Sequence, residues 1–138
     1  MNRAKKLITS FLIFILASCS PAAVATDESH GVVTVRTDKA SYSSDEAVTV
    51  TITNELNEAI EHYGTCSLTF CQVANDEWVC AVKDCHAPME LLMPASSVQF
   101  SEVSADTGNK TFRYQFEYFL PSSESLYIVY SNEFFIKP

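Results

Sequence analysis

Glycine is scarce in this chain, with three in 138 residues. So few glycines leave little material for a backbone cradle around phosphate. The sequence contains neither a Gly-x-Gly-x-x-Gly turn nor a phosphate loop. Gly-x-Ser-x-Gly and His-Glu-x-x-His are absent too, which removes two common signatures of hydrolases. The three histidines, His30, His62 and His86, are far apart, and no spacing pairs the carboxylates. The expectation is a protein that is not an enzyme, with no catalytic residue, no metal and no cofactor of its own. Positive charge is scarce as well. After residue 19 the chain carries Arg36, Lys39, Lys83, Lys110, Arg113 and Lys137 against all 17 of its acidic residues. Such a surface repels nucleic acid and anionic lipid, so neither is an expected partner. Long apolar runs are limited to one, near the start, and no second run of membrane-spanning length follows.

That one run has the form of an export signal. Arg3, Lys5 and Lys6 precede an apolar stretch over residues 7–17. It ends in Leu16-Ala17-Ser18-Cys19, which resembles the lipobox of bacterial lipoproteins. The resemblance implies a signal peptide over residues 1–18 and lipid (palmitate among its chains) on Cys19, the first mature residue. Acyl chains contribute about 0.8 kcal/mol per buried CH₂, so they would hold the protein to a membrane without a transmembrane helix. Ser20, rather than aspartate, follows the cysteine; in a Gram-negative cell the resemblance then implies the outer membrane. An ordinary cut after Ala23-Val24-Ala25 is the alternative, and it would discard Cys19. Residues 19–31 are small and polar and read as a flexible tether.

From residue 32 to 138 the pattern is all-β. Val48, Val50 and Ile52 alternate with threonines. Phe112, Tyr114, Phe116 and Tyr118 alternate with Arg113, Gln115 and Glu117, and such a stripe is far more often core than a sugar platform. Val33 and Val35, Val98 and Phe100, and Phe134 and Ile136 supply shorter strands. Residues 126–130 are apolar or aromatic throughout, as in a strand buried on both sides. Turn formers separate the runs at residues 43–45, 75–76, 107–109 and 121–123. Short strands at this spacing favour one β-sandwich domain.

With Cys19 set aside, Cys66, Cys71, Cys80 and Cys85 remain, an even number suited to two disulfides in an exported protein. Cys71 with Cys80 and Cys66 with Cys85 share a midpoint between Asn75 and Asp76, which are turn formers. One hairpin would bring both pairs into register. Cys66 and Cys71 lie an odd number of residues apart, so the outer bridge needs a bulge or a strand end. Local pairing, Cys66–Cys71 with Cys80–Cys85, is the rival. Three other uses of these residues can be written. The spacing C-x4-C-x8-C-x4-C is not the C-x2-C knuckle of zinc sites. His62, Cys85, His86 and Met89 are nominal blue-copper ligands, but Cys85 and His86 are adjacent. Cys80 to His86 resembles the rarer C-x4-C-H form of the c-type haem attachment site, which an all-β chain does not suit.

A wider resemblance covers most of residues 32–138. The run from Asp38-Lys39 through Tyr42, Ser44-Glu46 and Val48-Thr49-Val50-Thr51-Ile52 to Asn54 resembles the opening of bacterial immunoglobulin-like domains. Leu92-Met93-Pro94-Ala95-Ser96, Thr111 to Tyr114 and Ser131 to Ile136 are similar to later pieces of that pattern. Ser44 and Ala95 stand where glycine is usual. The resemblance implies an immunoglobulin-like antiparallel β-sandwich, here stapled by disulfides, that binds or displays through its loops. The expected function is a lipid-anchored, non-enzymatic envelope module with a protein partner. The alternative is an inhibitor of a secreted enzyme, a protease or a lysozyme. The hairpin tip would then be its contact, with Asn75, Asp76 and Glu77 presented and Trp78 as anchor.

Overall fold

The computed structural model describes residues 31–103 and 110–138. The Leu16-Ala17-Ser18-Cys19 tetrad, the Ala25 cut, His30 and the turn at residues 107–109 lie outside the described residues. Of the expected tether only Gly31 is described, and it belongs to the folded part. A Cβ placed on Gly31 would meet the Glu55 carbonyl oxygen at 1.5 Å, so the backbones touch there.

Eleven strands form two sheets among the described residues. β1 (Val33–Thr37), β3 (Ala47–Asn54) and β8 (Ser96–Val103) make the smaller sheet, with β3 central and both neighbours antiparallel to it. The larger sheet is built around β9 (Thr111–Leu120). On one side β9 pairs with β10 (Ser125–Tyr130) and then with β11 (Phe134–Lys137). On the other it pairs with β5 (Leu68–Ala74) and, at Phe119, with β4 (Ile60–His62). β2 (Ser41–Ser43) runs parallel to β11, β6 (Glu77–Cys80) closes a hairpin with β5, and β7 (Glu90–Leu92) pairs with β4.

Period-2 patterning produces these faces. On β3, Val48, Val50, Ile52 and Asn54 are buried and the alternate residues are not. On β9, Phe112, Tyr114, Phe116 and Tyr118 are buried, which makes the aromatic stripe core. Both sheets contribute to one apolar cluster, in which Tyr114 stacks on Phe134 (5.7 Å between ring centroids) and Phe70 on Phe112 (4.8 Å).

The expectation for residues 126–130 is overturned. β10 has one strand partner, β9, and its side chains from Leu126 to Ile128 and at Tyr130 are exposed. An apolar run does not distinguish a strand covered on both faces from an exposed edge strand.

The residues that carry the wider sequence pattern hold the backbone in place. The Tyr42 hydroxyl donates to Asp38 Oδ1 (2.5 Å) and accepts from the Lys39 amide (2.9 Å). Lys39 pairs with Glu46, whose other oxygen accepts from the Ser43 amide (3.1 Å). Asn54 is fully buried; its Nδ2 donates to the Glu58 and Leu92 carbonyls, and its Oδ1 accepts from the Leu56 amide. Ser131 accepts the Tyr114 amide where β10 gives way to β11. These are structural roles, each satisfying backbone groups that would otherwise go unpaired.

Candidate functional site: a doubly bridged hairpin and its exposed loop

The turn between β5 and β6 places Asn75 and Asp76 at φ of 53° and 64°. Both are left-handed, as a two-residue hairpin turn of type I′ requires, and Asn and Asp tolerate that region best after glycine. The turn fixes the register, and Cys71 comes to lie opposite Cys80. The two are joined, with Cα atoms 3.9 Å apart, at a site where facing side chains are close. Cys66 and Cys85 are joined as well. Cys66 sits in the short 3-10 turn Gly64–Ser67 before β5, and Cys85 lies beyond the end of β6. The outer bridge therefore joins two segments off the ladder, where strand alternation no longer applies.

Beyond Cys80 the chain leaves the sheet. Residues 81–89 contain no strand, turn or bend, and all but Ala87 are exposed. The Ala81 amide donates to the Phe70 carbonyl (2.9 Å); among the described residues it is the one backbone–backbone bond recorded for this stretch. Side chains alternate along it. Val82 is 98% exposed, and the side chains of Asp84 and His86 are 99% and 94% exposed. Lys83 points the other way. Its Nζ donates to the carbonyls of Thr65 (3.1 Å) and Leu68 (2.8 Å) and to Glu102 Oε1 (3.1 Å). A depression of about 290 Å³ lies beside the Cys66–Cys85 bridge, with His86, Glu117 and Phe119 in its wall.

The hairpin-tip residues divide. Asn75, Asp76 and Glu77 are exposed at the tip. Trp78 is half-buried, and its ring faces the Arg113 guanidinium at 4.1 Å. Tyr130 lies against the same guanidinium at 3.9 Å. Arg113 Nε is buried with no hydrogen-bond partner, and the two aromatic rings lie against this cation. One face of the indole is thus already engaged within the chain.

Among the described residues the four cysteine sulfurs are joined in pairs, and a bridged sulfur is not a free thiolate. His62 is buried, whereas His86 and Met89 are exposed. His62 Nδ1 accepts the Gly64 amide (3.0 Å), and the ring packs near Phe116 and Phe100. Burial holds its pKa below the ordinary histidine value, with Glu90 opposing the shift. Among the described residues, no group of three or more His, Cys, Asp or Glu is placed to hold a metal ion. No helix among them is long and apolar enough to cross a membrane.

Val82, Lys83 and Asp84 carry no motif. The signal that could have singled them out is their position between Cys80 and Cys85, each tied to a different partner.

The chain matches no protein-family profile and no curated protein. Among solved structures it is similar to the sporulation control protein Spo0M from Bacillus subtilis, at 17% identity and a TM-score of 0.41. That match covers 78% of this chain and spans half of the Spo0M chain.

Proposed function

We propose that this protein is a lipid-anchored, non-enzymatic module of the bacterial cell envelope, immunoglobulin-like in fold, that binds a protein partner. Support for the fold reading comes from the parallel pairing of β2 with β11, the run β11–β9–β5–β6, and the separate sheet β1–β3–β8 sharing the same core. Support for the anchor is Leu16-Ala17-Ser18-Cys19 after the apolar run. The observation that carries the binding reading is the stretch 81–89. It is exposed and outside any sheet, yet it is held at Cys80, Lys83 and Cys85. A pre-ordered loop loses little conformational freedom on association, so more of its contact energy appears as affinity.

Two measurements test this. Intact mass of the native protein should show acyl chains on Cys19, cleavage before it, and two disulfides; a mature chain starting at Thr26 would remove the anchor. Cross-linking in intact envelopes should join the protein to a protein partner. Recovery of no cross-linked partner, together with turnover in a substrate screen, would overturn the reading.

A further inference from the structure

We infer that residues 81–86 form a substrate-like loop that occupies the active-site cleft of an endopeptidase with a small aliphatic specificity pocket, Val82 filling that pocket. The inference rests on the binding-module reading and names its partner class. Four observations lead to it. The segment is free of turns and bends, the form in which peptides enter protease clefts as an added strand. Its backbone groups after the Ala81 amide make no recorded backbone–backbone bond among the described residues, so they are open to pairing with a cleft. Val82 is the apolar member of the outward row Val82, Asp84, His86, and it is 98% exposed. A bare branched side chain between two fixed points fits a small apolar pocket and is too short for one that selects a long cation.

The fourth observation is how the loop is held. Hydrolysis of the Val82–Lys83 bond would add one water, leaving a carboxylate on Val82 and an amine on Lys83. The two sides would remain joined through Cys66–Cys85, and Lys83 would still be held by Thr65, Leu68 and Glu102. The new ends would stay close, which favours resynthesis of the bond over release. A loop of this kind inhibits where a free peptide is consumed. Lys83 acts here as a positioning residue.

The test uses the purified full-length protein with its disulfides intact. It is titrated against an elastase-class, a trypsin-class and a chymotrypsin-class endopeptidase, each assayed with a small chromogenic substrate. The expected result is stoichiometric inhibition of the elastase-class enzyme. Val82→Lys should weaken that inhibition at least 100-fold and create inhibition of the trypsin-class enzyme. Phe135→Ser, on a distant strand, should change neither. Val82 is bare, so its substitution leaves the fold intact. Lys83→Met should raise the rate of cleavage at Val82–Lys83 at least tenfold, read by intact mass, and so turn inhibitor toward substrate. Absence of inhibition by the native protein, or inhibition that Val82→Lys leaves unchanged, overturns the inference. If the envelope cross-link of the previous section forms equally well with Val82→Lys, the binding module stands and the protease-directed loop falls. If neither inhibition nor cross-link is seen and a substrate screen shows turnover, both fall.

Discussion

Ala95 shows how one residue can carry the meaning of a motif it departs from. Glycine is usual at this position in the sequence pattern that residues 92–96 resemble, and the backbone at Ala95 has the conformation that glycine serves, with φ of 54°. Ser96 closes the turn by donating to the Met93 carbonyl (2.5 Å). An L-residue in the left-handed region costs about 1–2 kcal/mol, while a glycine costs about 0.4–1 kcal/mol through the freedom it adds to the unfolded chain. Ala95→Gly should therefore stabilise the protein by about 0.5–1 kcal/mol. Ser44 is the contrasting case. It is not among the residues with positive φ, so Ser44→Gly should destabilise by about 0.5–1 kcal/mol. Denaturant midpoints of the two variants measure this, and equal shifts of the same sign would show that the turn at Ala95 is not strained. Asp38, Tyr42, Glu46 and Asn54 were legible in the sequence as a pattern. Their work became visible with their partners, since a hydrogen bond to a distant carbonyl leaves no trace in spacing.

At the scale of the element, the β5–β6 hairpin was the most legible part of the molecule. Two residues that tolerate the left-handed region sit at the shared midpoint of both cysteine pairs, and a two-residue turn fixes the register completely. β3 and β9 were legible for a related reason, since the strict alternation over residues 48–53 and 112–118 admits one buried face. β4 and β7 were not, because three residues are too few for a period to appear. β10 was misread because composition records what a strand is made of and not how many neighbours it has. The two bridges differ in access. Cys71 is fully buried beside Arg113 in the ladder, whereas Cys85 is exposed in the loop and Cys66 is half-buried. A thiolate reductant must reach a sulfur to exchange with it. Brief treatment with a low concentration of dithiothreitol, followed by alkylation and peptide mapping, should label Cys66 and Cys85 first. The chain-entropy relation for a closed stretch of 19 residues makes that bridge worth about 3 kcal/mol, and the selectively reduced protein should lose stability of that order. Labelling of Cys71 and Cys80 first would contradict the burial argument.

For the whole molecule, the groups that titrate out of their ordinary range bound the pH interval in which the fold is most stable. On the alkaline side stand three core tyrosines. Burial, reinforced by the bond to Asp38, pushes the Tyr42 hydroxyl up to about 12. Burial raises Tyr114 and Tyr118 in the same direction. A raised folded value means that the unfolded chain ionises first. The stabilisation is complete below the ordinary tyrosine value of about 10 and is lost as pH climbs past it. On the acid side His62 and Asp38 are both lowered, His62 by burial and Asp38 chiefly by the Tyr42 hydroxyl. A lowered folded value means that the unfolded chain takes up the proton first. Stability is then present above the unfolded value and falls as pH drops through the interval beneath it. For His62 that interval opens near about 6.5, and for Asp38 near about 4. Geometry gives the same sign for His62, because a proton on Nδ1 would abolish the acceptor that the Gly64 amide uses and place a charge between Phe100 and Phe116. The acidic surface works against this trend by losing self-repulsion as it protonates. Measurement at about 0.15 M salt, where the screening length is about 8 Å, suppresses that long-range part more than the buried one. Unfolding free energy against pH should therefore show a plateau from about 7 to about 10, a fall above it, and an acid slope that starts near 6.5. In His62→Gln the slope between about 6.5 and the carboxylate range should flatten while the alkaline limb is unchanged. An unchanged acid slope in that variant would mean that His62 is not the group lost first.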